Sequence, residues 1–257
     1  MVLPLECRKI IWLMKRKRNI LARTINAFLA LVGLRLNRAK RQSFLKSFNS
    51  ETGGDNLILS NYSVDCIIDV GVAEGTPWLY KHFDKQHLIL VEPLNIAPEL
   101  LEMLQGRKYE IYECAAGSIE GEITINFDTT QPSLSSIYER TELTKRSCNK
   151  LEKRTVPVKT IDQIISETKF VTENYGLKID TEGFELEVLK GAKETLKRCK
   201  FVICEASIEK RFENSYNFSD LVLFMRQQEF NLVKILRFTN DHNGIVRFAD
   251  VLFEPIN

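Results

Sequence analysis

The chain has 257 residues, 44% of them apolar and 27% charged, enough for one large domain with a proper core and too few for two comfortable ones. Its net charge of +2 hides an asymmetry, because residues 1–48 hold twelve Lys or Arg and one acid, a charge of +11, against −9 for the remainder. Six cysteines without a C-x-x-C pair and three scattered histidines (His82, His87 and His242) offer no metal-ligand spacing, and point to a reducing, cytoplasmic setting in which buried thiols act as small apolar residues.

The basic piece alternates clusters, Lys15-Arg16-Lys17-Arg18 and then Arg35, Arg38, Lys40 and Arg41, with an apolar stretch over 20–36. Arg23, Asn26 and Arg35 interrupt that stretch, so it does not read as a membrane span, which needs about 20 mostly apolar residues. It also comes late for a secretory signal, and no A-x-A cleavage site follows it. Two readings remain: a basic amphipathic helix lying peripherally on an anionic membrane, and a helical extension packed on the following domain with its charges solvated. Only Trp12, Phe28, Phe44 and Phe48 are aromatic here, which argues against nucleic acid as a partner. A break at 49–55, with Ser50, Thr52, Gly53 and Gly54, divides a basic extension, residues 1–48, from a larger domain, residues 49–257.

That larger domain opens with CIIDVGVAEGT at 66–76. The run 66–70 is too short for a helix and too apolar for a loop, so it predicts a buried parallel strand. Gly71 and Gly75 then turn the chain where an open α/β sheet places its ligands, which makes 71–75 a cofactor-loop candidate. The loop is not a dinucleotide fingerprint, because G-x-G-x-x-G needs glycine where Ala73 and Thr76 stand. A helix over 76–83 follows, then a strand over 88–91 ending at Glu92, an acid at the second strand tip, where a doubly wound fold holds ribose hydroxyls. Asn95 is the expected cap of a helix carrying Ile96, Leu100, Leu101 and Leu104. A third strand spans 109–114, and the small run 115–118 leaves room for a flat ring. After an alternating strand over 121–127, residues 129–154 show neither period and read as a substrate-covering flap with Ser133, Ser135 and Ser136 at its start.

Thr160-Ile161-Asp162-Gln163 predicts a capping box opening a short helix. A strand over 175–179 delivers Lys178-Ile179-Asp180-Thr181-Glu182-Gly183 to the sheet rim, and Phe184, Val188, Ala192 and Leu196 predict a helix at once. Acids at such a junction suit an active site, and equally suit the first turn of a helix. A strand over 200–204 ends in Glu205, a helix covers 217–228, and strands over 230–236 and 250–253 flank the turn at Asn243-Gly244 as a hairpin.

The segments DVGVAEG (69–75), VEP (91–93), AAGSIEGEITI (115–125), PSLSS (132–136), VPVKTID (156–162), LKIDTEGFELEVLKGA (177–192) and ICEAS (203–207) together resemble the FkbM family of S-adenosylmethionine-dependent methyltransferases. The KIDTEGFELEVLKGA block is the specific part, since glycine loops of this type are widespread. The resemblance implies a Rossmann-like, seven-stranded, mostly parallel sheet with an antiparallel last strand and helices on both faces. It implies O-methyl transfer to a hydroxyl of a sugar, glycan or other small molecule, with S-adenosyl-L-methionine as cofactor. By motif position Asp69, Gly71, Ala73 and Gly75 line the methionine end of the cofactor, Glu92 its ribose and Ala115 its adenine side, while Asp180 faces the methyl group. Ala73 departs from the asparagine usual in the family. As proton acceptors Asp180 and Glu182, tuned by Lys178, rank above Glu205 and His242. A methyltransferase-like scaffold without activity is the alternative, against which the intact Asp69, Glu92 and Asp180 speak; the acceptor and the oligomeric state are not encoded in any readable motif.

Overall fold

A computed structural model of the chain describes residues 59–142, 150–240 and 244–256. The basic extension, the break at 49–55, His242 and the middle of the expected flap lie outside these residues. Among the described residues ten strands form two sheets. The larger contains β1 (Cys66–Val70), β2 (His87–Val91), β3 (Tyr109–Tyr112), β7 (Tyr175–Ile179), β8 (Cys199–Ser207), β9 (Phe230–Asn240) and β10 (Val246–Pro255). Their order is β3-β2-β1-β7-β8-β10-β9. All neighbours are parallel except β10, which runs antiparallel to both β8 and β9, as the hairpin reading requires.

Helices cover both faces. Along β1, Cys66, Ile68 and Val70 pack into a core shared with α3 (Ile161–Glu167), α4 (Glu185–Lys190), α5 (Lys193–Leu196) and α6 (Phe218–Gln227), whereas Ile67 joins a second core with α1 (Pro77–His82) and α2 (Pro98–Met103). Burial on both faces is why β1, β2 and β7 read as continuous apolar runs without alternation. The chain passes from β1 to β2 on one side and reaches β7 on the other, so the carboxyl ends of β1 and β7 form the topological switch point, the usual ligand crevice of an open α/β sheet.

Several elements differ from the sequence expectation. The second helix starts at Pro98, with Ala97 rather than Asn95 as N-cap. Proline suits the first helical position and forces extended backbone on the residue before it. The single helix expected after Gly183 is two, because Gly191 packs against Gly117: a Cβ at 191 would sit 2.0 Å from the Gly117 carbonyl oxygen. Asp162 then caps α5 from outside, accepting from the Glu194 and Thr195 amides at 3.0 and 2.7 Å. At Thr160 half of the expected box forms, the hydroxyl accepting from the Gln163 amide.

The smaller sheet, β4 (Ala115–Ala116), β6 (Leu151–Lys159) and β5 (Gly121–Asp128), also revises two expectations. The third main strand stops at Tyr112, and Ala115 and Ala116 cross over to pair with Val158 and Lys159. Residues 151–154, read as flap, are the start of β6. Their side chains are exposed on both faces, so no period-two signal exists to be read. Of the expected flap, the described part that remains is a 3₁₀ turn at Pro132–Leu134 and the segment after it, which folds down on the loop following β7.

Candidate active site

Two loops meet at the switch point. Gly71 follows β1 with φ of +77°, and a Cβ there would lie 1.8 Å from the carbonyl oxygen of Asp180. The Asp180 amide in turn donates to the Val70 carbonyl at 2.9 Å. Glycine is thus demanded at 71 by a left-handed backbone and by the KIDTEG segment lying directly on it. Gly75 (φ +91°) is closed off by Leu100. Ala73 also adopts a left-handed φ, +45°, which asparagine, the family residue, tolerates far better than alanine.

The residues assigned to cofactor binding are occupied with the chain itself. Asp69 is fully buried; its Oδ2 accepts from Thr76 at 2.8 Å and from Tyr80 at 2.5 Å, while Oδ1 faces the Lys178 ammonium at 3.3 Å. Glu92 takes the Ala73 amide on Oε2 and the Leu94 amide on Oε1, each at 2.9 Å. Burial raises its pKa, and those two amides oppose the rise. Each carboxylate oxygen still has a second lone pair for a hydroxyl donor. Ala115 is buried against Val156, Val158 and Ile125, so the space expected for a flat ring beside its side chain is filled by the second sheet.

The residues assigned to chemistry lie in a buried band of charge crossing the sheet. Asp69 pairs across strands with Lys178, Glu205 with Asp250, and Asp250 with Arg237. Lys178 Nζ is 3.3 Å from both Asp69 and Asp180; burial disfavours its charge, but Asp69, Asp180 and Asp250 outweigh that and raise its pKa. The Asp180 side chain is 30% exposed, the most open of this band. Burial pushes its pKa up, but Lys178 and Arg237 outweigh that and hold it below the usual carboxylate range.

Glu182 stands beyond Asp180 in a left-handed conformation, φ +50°. Its Oε2 is shared between Arg211 at 3.4 Å and Arg140 at 3.5 Å, and its backbone carbonyl accepts from Ser136 at 2.6 Å. Burial raises the Glu182 pKa against the pull of both guanidiniums. Glu185, which begins α4, fastens the loop: its Oε1 accepts from the Thr181 and Gly183 amides at 3.0 and 3.1 Å, and its Oε2 from Tyr216 at 2.8 Å.

The structure brings Lys178, Asp180, Glu182 and Glu205 into one charged cluster with partners the sequence did not point to. Arg211 sits in an irregular segment with no local signal. Asp250 carried one, a buried charge inside the apolar run FADVLF, whereas Arg237 shares its strand with Asn231 and Lys234 and does not stand out. Among the described residues no cluster of His, Cys, Asp or Glu has metal-holding geometry, and no helix is long and apolar enough to cross a membrane.

The chain has no significant match among curated protein sequences. Among the solved structures similar to it are two methyltransferases. One is the Burkholderia thailandensis 1,6-didemethyltoxoflavin-N1-methyltransferase bound to 1,6-didemethyltoxoflavin and S-adenosylhomocysteine, at 8% identity and TM-score 0.44, covering 83% of this chain and 82% of that one. The other is an S-adenosylmethionine-dependent methyltransferase of Methanosarcina mazei, at 10% identity and TM-score 0.38, covering 77% and 97%. The family model for the methyltransferase FkbM domain matches residues 69–232, a span running from Asp69 at the glycine loop through the whole KIDTEG corner into β9. The chain belongs to the FkbM family of S-adenosylmethionine-dependent methyltransferases.

Proposed function

We propose that the protein transfers a methyl group from S-adenosyl-L-methionine to a hydroxyl of a sugar, glycan or other small molecule. The observation that carries this reading is the contact between Gly71 and Asp180 at the switch point, which joins the glycine loop to an open, ionised carboxylate. The residues present fit this cofactor: a rim rich in carboxylates suits a ligand bearing a sulfonium and an ammonium, and Glu92 keeps lone pairs for ribose hydroxyls. Asp69, Gly71, Ala73 and Gly75 are assigned to its methionine end, Glu92 to its ribose, and Ala115, through its backbone, to its adenine side. When bound, the cofactor supplies an electrophilic methyl group.

The chain's own residues do the rest. Asp180 orients the acceptor hydroxyl and takes its proton as the oxygen becomes a nucleophile. Lys178 keeps Asp180 ionised, which makes it always available but weakly basic, so orientation contributes as much as proton transfer. Glu182, held by Arg140 and Arg211, shapes the acceptor side. To the charge of +11 carried by residues 1–48 we assign peripheral contact with anionic lipid. Removing them is expected to leave cofactor affinity unchanged and to abolish sedimentation with anionic vesicles. The function is tested by calorimetric titration with S-adenosylmethionine and with NAD, then by incubation with labelled S-adenosylmethionine and fractionated cell glycans. Binding of the first alone and label in a hydroxyl-bearing fraction support the reading; binding of NAD alone refutes it.

A further inference from the structure

Four side chains form a continuous line from the helix after the glycine loop to the open carboxylate at the rim. Tyr80 Oη donates to Asp69 Oδ2 at 2.5 Å, Lys178 Nζ stands 3.3 Å from Asp69 Oδ1, and the same ammonium stands 3.3 Å from Asp180 Oδ2. Tyr80, Asp69 and Lys178 are buried. The reaction proposed above uses only the outer link, Lys178 to Asp180.

Two features show that the inner end is arranged around the Asp69 charge. Thr76 is the N-cap of α1, where a threonine hydroxyl ordinarily accepts from a helix amide. Here it makes no such bond and donates instead to Asp69 Oδ2 at 2.8 Å. Both hydroxyls therefore converge on one oxygen, while Oδ1 accepts no hydrogen bond and has only the distant ammonium. A tight charge-assisted bond measures about 2.7–2.9 Å, so Lys178 at 3.3 Å is drawn fully onto neither acid. The two hydroxyls support the buried anion themselves, which leaves the ammonium to serve Asp180 as well. Burial and the adjacent Asp69 push the Tyr80 phenol well above its ordinary pKa, so it stays a donor.

We propose that Tyr80, aided by Thr76, is a positioning residue of the methyl-transfer site: its hydroxyl holds Asp69 so that Lys178 is shared with Asp180, and the reacting carboxylate is thereby set from the helix that follows the glycine loop. This rests on the reading above, in which Asp180 meets the acceptor. Without the Tyr80 hydroxyl, Asp69 loses a donor at a fully buried position. The Lys178 ammonium, with three N–H groups, is the donor at hand to replace it. It closes on Asp69 and withdraws from Asp180, whose charge is then less well supported.

The test needs neither cofactor nor acceptor. The full chain is prepared with aspartate labelled at its carboxyl carbon, and the Asp180 NMR signal, identified by its loss in Asp180→Asn, is followed as the pH is lowered. Asp180 is also faced by Glu182 on its own loop, Glu205 of β8, Arg237 of β9 and Asp250 of β10, all of which the variants leave in place. In Tyr80→Phe, Asp180 is expected to take up its proton about one pH unit higher than in the wild type, the low end of what an adjacent cation supplies. Thr76→Val should move it the same way by less. Tyr62→Phe, which removes a different tyrosine hydroxyl, the one donating to Glu254 at 3.0 Å, should not move it. An unchanged course in Tyr80→Phe overturns the proposal, and so does a fall, which would mean that Asp69 protonates and releases Lys178 to Asp180. An equal rise in Tyr62→Phe also overturns it, by reducing the effect to general loosening. Should Tyr80→Phe fail to fold by circular dichroism, Thr76→Val decides by the same signs. Absence of heat on titration with S-adenosylmethionine refutes the functional reading, an outcome distinct from an unchanged course of Asp180.

Discussion

The two halves of the rim solve opposite problems. On the β1–β2 side, Asp69, Ala73 and Glu92 are satisfied by hydrogen bonds or ion pairs within the chain, so the loop that should receive the cofactor is stiff before any ligand arrives. On the β7–β8 side, Glu182 shares one oxygen between two guanidiniums without a well-formed hydrogen bond, and buried Glu205 lies against Arg211 and Arg237 with Asp250 opposite it on the next strand. One half is preorganised backbone and the other is compressed charge. Preorganised backbone lowers the ordering entropy that binding must overcome, whereas crowded acids remain responsive to a ligand's charge. In the proposed function, holding falls to the first half and chemistry to the second.

The strongest way to break this contrast is to separate the halves. Gly71→Ala places a methyl group against the Asp180 carbonyl in a left-handed conformation, and should cost roughly 3 kcal/mol or more. Urea unfolding reads this, and a loss below about 1 kcal/mol would mean the two loops do not meet as described. Next comes Asp180→Asn, expected to cut methyl transfer on the order of a hundredfold or more with little change in unfolding midpoint. Wild-type turnover at saturating cofactor would return Asp180 and Glu182 to the role of helix-start acids.

Glu92→Ala touches only the holding half. It frees the Ala73 and Leu94 amides and should weaken S-adenosylmethionine binding by about 1.5–3 kcal/mol, the range for hydrogen bonds to a charged group, without altering turnover at saturation. Unchanged affinity in calorimetry would remove Glu92 from the ribose. For the charged half the corresponding readout is pH. Glu205 has a folded pKa above its unfolded value of about 4.5, so its stabilising contribution is complete below that value and is lost as pH rises through the folded one. Glu205→Gln should therefore flatten the decline in melting temperature above pH 4.5, and an unaltered slope would contradict the assignment. The smallest effect is expected at Ala73, where asparagine relieves a left-handed alanine and should stabilise by about 1 kcal/mol; a lower melting temperature in Ala73→Asn would show that the family residue is not wanted in this loop.

Much of this was open to inspection before folding was considered. Strands such as Cys66–Val70 and Tyr175–Ile179 announce themselves because burial on both faces demands unbroken apolar residues. Glycine at 71 and the acids of KIDTEG mark the rim because left-handed turns and buried charge are rare enough to be conspicuous. Residues 151–154 were silent because a strand solvated on both faces imposes no period, and the α4–α5 break was hidden because Gly191 answers to Gly117, 74 positions away. Strand order was the larger unknown. Nothing local in Arg237 or Asp250 says that β10 inserts antiparallel between β8 and β9, yet that insertion sets Asp250 beside Glu205 and Arg237 beside Asp250. Sequence periodicity reports how one segment meets solvent and core; which charge is left short of a partner depends on segments far apart in the chain, and is settled when the sheet closes around them.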